Sequence, residues 1–251
     1  MKAPRKLRFN WNDMGIILTL IAMIVFFSLS TKSFLSARNF TNIVRQISVV
    51  GICAVGMTMV ILTGGIDLSI GSLIGLASSI AAVMMNGGSP IWLAVLVALA
   101  LGVSVGFVNS TCINYLKIPP MITTLAMMIS LRGAVYLITG GMPIYGIPES
   151  FKVLGQGTVG VFPISSLIMI AVFIFGYILL SRTPFGRRIY GIGGNVETAR
   201  LSGVNVKREL YKMYMLVGLL GALAGLILTS RINSGQPSAG DGYEMDIITA
   251  V

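Results

Sequence analysis

The residues that could do chemistry are few, and their types exclude most of it. The chain has two cysteines, Cys53 and Cys112, and no histidine. Without imidazole there is no Ser-His-Asp or Cys-His nucleophile pair, and two cysteines so far apart in an apolar setting offer no zinc-ligand spacing. Both read as small buried hydrophobes, and no catalytic or metal residue is assigned. No Gly-x4-Gly-Lys-Ser/Thr loop occurs, so the chain does not itself hydrolyse ATP by that route. Gly191-Ile192-Gly193-Gly194 follows no strand and is no dinucleotide fingerprint; no cofactor is assigned.

What remains is charge in apolar surroundings. Asp67 stands in Gly64-Gly65-Ile66-Asp67-Leu68-Ser69-Ile70-Gly71-Ser72, between two uncharged runs. A carboxylate there is costly unless capped, paired or wet. The two glycines break the preceding helix, and Asp67 or Ser69 can cap the next one. Two readings stay open: a capped break, or a pathway or gating element like the broken helices of transporters. Arg132 lies about 13 residues into another apolar run and must snorkel, pair or face the interior. Asp67 and Glu149 are its candidate partners, and a substrate contact is the sharper alternative.

The elements that must position these residues follow from composition. The chain of 251 residues is 55% hydrophobic and only 10% charged, against about 25% charged in soluble domains. No charge occurs between Asp67 and Lys117, room for two spans of about 20 residues. The expected fold class is all-α: a polytopic transmembrane helix bundle forming a single permease-type domain over residues 1–251. Apolar runs place spans at 14–31, 46–66, 69–85, 90–115, 119–139, 163–181 and 212–230. A polar stretch with Asp241, Glu244 and Asp246 then turns apolar at Ile247, read as the start of an eighth span in a C-terminally truncated chain. The first span is read as retained, since no small-residue cleavage site is clear.

The net charge of +10 comes from 18 Lys and Arg against 8 Asp and Glu. The basic residues fall between apolar runs, which fits the positive-inside rule and excludes a nucleic-acid stripe. The tail 1–13 carries Lys2, Arg5, Lys6 and Arg8. The loop 182–212 carries Arg182, Arg187, Arg188, Arg200, Lys207, Arg208 and Lys212 against Glu197 and Glu209. Both are expected in the cytoplasm, and six intervening spans return the chain to one side. The Gly- and Pro-rich segment 140–162 is then an external loop. Segment 32–45 is discordant, external yet carrying Lys32, Arg38 and Arg45.

Within the basic loop, Asn195, Glu197, Thr198, Ala199, Arg200, Leu201, Ser202 and Gly203 read as a short amphipathic helix. Asn195 caps it, Glu197 occupies its first turn and Gly203 ends it. It suits docking of a protein, or is a solvated connector. Gly71/Gly75, Gly102/Gly106 and Gly221/Gly225 are Gly-x-x-x-Gly pairs, for helix packing within the chain or a dimer seam.

These segments resemble a known family. Gly64 to Ser72, Arg132-Gly133 with Thr139-Gly140-Gly141, Gly193-Gly194-Asn195 through Leu201-Ser202-Gly203-Val204-Asn205-Val206, and the stretch from Gly242 to Val251 resemble permeases of bacterial ABC importers for monosaccharides. That group includes the ribose, xylose and autoinducer-2 systems, and the resemblance covers essentially the whole chain. It implies a multi-pass protein of the bacterial cytoplasmic membrane that moves a sugar with energy from separate ABC ATPase subunits. It also implies an external sugar-binding protein and a second permease chain, identical or not. Residues 195–203 correspond to the helix that couples to the ATPase, although relatives often have paired alanines where this chain has Thr198-Ala199. Relatives also continue beyond Val251. The rivals are a secondary transporter or facilitator working without an ATPase and, more weakly, a membrane-embedded enzyme.

Overall fold

The computed structural model describes residues 11–251, with side chains from Gly15 onward; the basic tail with Lys2, Arg5, Lys6 and Arg8 lies outside the described residues. Helices form where the apolar runs expected them. In order they are α1 (Trp11–Ser30), α2 (Ala37–Leu62), α3 (Ile70–Asn86), α4 (Ile91–Asn114) and α5 (Pro120–Thr139). A 3-10 turn (Glu149–Lys152) and the four-residue α6 (Val153–Gln156) follow. Next come a small antiparallel ribbon of Thr158–Val159 and Phe162–Pro163, then α7 (Ile164–Arg182), α8 (Pro184–Gly194), α9 (Val196–Leu201), α10 (Val206–Ile232) and α11 (Tyr243–Thr249).

Five of these, α2, α4, α5, α7 and α10, are long and apolar enough to cross a membrane, while Gly15–Ser30 and Ile70–Asn86 are shorter apolar helices. The ends differ from the hydropathy boundaries because capping, not hydropathy, decides where a helix starts. α2 begins at Ala37 rather than 46, since Ser36 Oγ accepts the Asn39 amide at 3.2 Å. α10 begins at Val206 rather than 212, since Asn205 Oδ1 accepts the Arg208 amide at 3.1 Å. Pro120 opens α5, where its missing donor costs nothing.

Residues 44–251 form one unit and residues 1–43 another. Within the first, α10 is the central helix, buried along most of its length, and α2 is buried over its second half. Val49, Ile52, Met57, Ile74, Tyr214 and Ile227 belong to its main apolar cluster. The faces of α5 and α7 stay largely exposed and apolar, as lipid-facing helices do.

All three glycine pairs serve packing within the chain. A β-carbon at Gly102 or Gly218 would overlap the other's carbonyl, and one at Gly106 would overlap the carbonyl of Tyr214, so α4 and α10 cross backbone to backbone. On another face of α10, Gly225 admits the Ile74 carbonyl of α3, where a β-carbon would stand 2.6 Å from that oxygen. Gly71 and Gly75 meet neither α4 nor α10. They receive residues 239–244, which run back along α3.

Segment 140–162 is not a free loop. Ile144 pairs with Gly235, Ile147 and Phe151 are buried, and Ser230 Oγ donates to the Phe151 carbonyl at 2.6 Å while accepting the Gly155 amide at 2.7 Å. Arg45 Nη2 donates to the Gln156 carbonyl at 2.6 Å, so one of the three discordant charges is bound to this segment.

Candidate functional site

The break between α2 and α3 is built from its glycines. Gly64 adopts φ +80°, its amide donates to the Ile61 carbonyl at 2.9 Å, and the Gly65 amide donates to the Val60 carbonyl at 3.0 Å. This is the glycine-terminated helix end that places a left-handed residue just past the last turn. The chain then turns on Asp67, whose buried Oδ1 accepts the Ser69 amide at 2.9 Å and the Ser69 hydroxyl at 2.6 Å. Ser69 holds the N-cap position of α3 but caps nothing with its side chain. Its hydroxyl instead accepts Asn109 Nδ2 of α4 at 2.9 Å, and Thr124 Oγ1 of α5 reaches the Ile66 carbonyl at 3.1 Å. A capped break therefore describes Gly64 and Gly65, whereas Ser69, held by Asp67, ties the break to α4 and the Ile66 carbonyl ties it to α5.

Arg132 does not pair with Asp67 or Glu149. Its Nη1 donates to the carbonyls of Pro237 and Ala239, each at 3.1 Å, and its Nη2 stands 3.5 Å from Asp241 Oδ1. Glu149 pairs with Lys152. The partners lay in the polar stretch after α10, which hydropathy marks only as the approach to another apolar run.

The segment 195–203 forms the expected helix, α9. Asn195 Oδ1 accepts the Thr198 amide at 2.8 Å, Arg200 and Glu197 pair at 2.9 Å, and Gly203 ends the turn at φ +82°. Ala199 is buried against Ile192 and Val206 of its own chain. Every other position from Asn195 to Gly203 is exposed, with Leu201 89% exposed.

Gly191, Gly193 and Gly194 are the last turns of α8, not loop. A β-carbon at Gly193 would overlap the Leu62 carbonyl, so α8 ends directly on the end of α2. Its other anchor was not legible in sequence: Glu209 of α10, 1% exposed, accepts Arg188 Nη1 at 2.8 Å and Lys212 Nζ at 3.2 Å. Among the described residues, no three His, Cys, Asp or Glu side chains gather to hold a metal ion.

Residues 39–251 match the family described as branched-chain amino acid transport system / permease component. The ribose import permease protein of Bacillus subtilis (strain 168) is 42% identical, over 95% of this chain and 74% of that protein. The ribose import permease protein of Escherichia coli (strain K12) is 41% identical, over 94% of this chain and 74% of that protein. The xylose transport system permease protein of Escherichia coli (strain K12) is 34% identical, over 94% of this chain and 76% of that protein. No solved structure matches.

Proposed function

The chain belongs to the branched-chain amino acid transport system / permease component family, and on that premise we propose that it is the membrane-spanning permease subunit of an ATP-binding-cassette importer for a monosaccharide of the ribose or xylose type. The observation that carries the sugar class is the 42% identity to a ribose import permease over 95% of the chain. The family description names amino acids, but a relative matched over 95% of this chain at that identity is the narrower guide. The protein is a transport component, not an enzyme.

In this reading seven helices, α1 to α5, α7 and α10, cross the cytoplasmic membrane with the N-terminus inside. The α8–α9 segment then faces the cytoplasm and meets an ATPase subunit. Its exposed side chains, Val196, Thr198, Leu201 and Ser202, form the contact, and Asn195, Glu197, Arg200 and Gly203 shape the helix that presents them. Ala199 holds α9 onto α8 and α10 from within. A sugar-binding protein delivers to the opposite face, and a second permease chain completes the pathway. Gly64, Gly65, Asp67 and Ser69 form the gating element, because a break bonded to α4 and α5 links the motions of three helices.

The test is uptake of labelled ribose and xylose into proteoliposomes holding this chain with its cognate ATPase, supplied with the binding protein. Uptake that requires ATP and all three components is expected. Equal uptake without the ATPase would establish a facilitator instead.

A further inference from the structure

After Asn233 ends α10, the chain turns back along α3. Gly235 lies against Ala82, Ala239 against Gly75, Gly240 against Ile74 and Glu244 against Gly71. Ala82 and Gly71 stand eleven positions apart on one helix, a run of about 16 Å, or roughly half of a hydrocarbon core about 30 Å thick. Most of this re-entrant stretch is turns, not helix. Irregular backbone at such depth persists only where protein buries it or it lines a wet cavity.

Both conditions hold. Arg132 takes two of the freed carbonyls, and beside it opens a cleft of ≈ 380 Å³ lined by Ser72, Ile129, Arg132, Tyr136, Asp241 and Glu244, among others. That volume falls in the range of small-molecule sites. Two buried polar atoms in the cleft wall, Ser72 Oγ and Glu244 Oε2, have no hydrogen-bond partner. Ser72 is fully buried and Glu244 is 9% exposed. A buried carboxylate oxygen and a hydroxyl left without partners call for a ligand that brings its own donors.

We propose that this cleft is a monosaccharide site on the transport pathway, where Glu244 and Ser72 bind sugar hydroxyls opposite Arg132 and Tyr136. The proposal rests on the sugar-importer reading above. A sugar ring offers vicinal hydroxyls as donors to the carboxylate and acceptors for the guanidinium, and an apolar face for the Tyr136 ring and Ile129. A lipid acyl chain would leave Glu244 unpaired. A metal ion would want more ligands than the cleft supplies, since among the described residues no group of three acidic, His or Cys side chains forms.

The test measures initial uptake of ribose, xylose and 2-deoxyribose by the assembled importer in proteoliposomes, at saturating binding protein. Glu244→Gln and Ser72→Ala are compared with the unaltered chain. Loss of one charge-assisted hydrogen bond should change the ribose-to-deoxyribose ratio by about tenfold in Glu244→Gln, with a smaller change in Ser72→Ala. Ser72→Ala removes one atom from a packed helix and serves alone if Glu244→Gln fails to assemble. Variants that slow all three sugars by one common factor would overturn the site and leave the importer reading standing. An unaltered assembly that imports none of them would overturn that reading, and the site with it.

Discussion

Gly75→Ala is the sharpest single-residue test of how residues 235–244 are held. A β-carbon there would stand 2.5 Å from the Ala239 carbonyl oxygen, which also accepts Arg132 Nη1 at 3.1 Å. Real β-carbons essentially never approach an atom closer than 3.0 Å, so the segment must withdraw by at least the missing half-ångström. The neighbours on the far side cannot easily yield, because Arg132 binds the same stretch at Pro237 and Ala239. Overpacking of this kind costs about 1–3 kcal/mol, and loss of a charged hydrogen bond would add a comparable amount. At about 2–4 °C per kcal/mol for a chain of this size, the unfolding midpoint should fall by roughly 4–24 °C. The measurement is thermal unfolding in lipid nanodiscs, with Gly15→Ala as the control, since nothing lies within 4 Å of its added carbon. Identical midpoints for Gly75→Ala and the unaltered chain would refute the packing of the re-entrant segment against α3.

Two other outcomes follow from the geometry of the basic loop. Leu201→Asp should abolish ATP-dependent uptake with an unchanged unfolding midpoint, because an exposed side chain is lost only to a partner, whereas Ala199→Asp should lower the midpoint as well, by burying an unpaired charge among Ile192 and Val206; stability equal in both variants would contradict the orientation of α9. In a double-mutant cycle of Arg188→Met and Glu209→Gln, unfolding in nanodiscs should give a coupling of about 1 kcal/mol, the low end for a buried pair since Arg188 is 45% exposed, and strict additivity would show that the pair does not fasten α8 to α10.

The long apolar helices, the α9 helix and the glycine break were legible because each depends on local signals. An uncharged run, an Asn with Glu two residues on, and a Gly-Gly pair act over a few residues. The partners of Arg132 were not legible, because Asp241 and the Ala239 carbonyl lie over one hundred positions away and owe their place to the glycine stripe on α3. That stripe was visible, yet Gly71 and Gly75 looked like helix-packing residues, and composition cannot say whether a helix or an irregular segment fills such a groove. The inward face of α9 is not legible for a related reason: a six-residue helix has two faces, and the neighbours Val206 and Ile192 decide that Ala199 lies inward. Glu244 and Ser72 went unnoticed because what singles them out is the absence of a partner, which exists only in three dimensions.

One consequence joins the two ends of the candidate site. If α9 meets an ATPase, any displacement it suffers passes first to α8, whose final turn presses on the Leu62 carbonyl at the end of α2. One residue on, Thr63 Oγ1 lies 3.7 Å from Met213 Sδ, while Glu209, one turn earlier in α10, holds Arg188. The gap between α2 and α3 is therefore clamped between α8 and the start of α10. Close-packed interfaces of this kind switch between discrete arrangements more readily than they deform. Asp67 and Ser69 then carry the shift to α4 through Asn109, and Thr124 senses it from α5, the helix that bears Arg132. A push on the basic loop and a change at the re-entrant cleft would thus share α5 as their common rigid member. Asp67 enters this chain only through Ser69: its carboxylate accepts the Ser69 hydroxyl, which in turn accepts Asn109 of α4. Removing the carboxylate would loosen the α4 link while the Thr124 bond to the Ile66 carbonyl kept α5 in place.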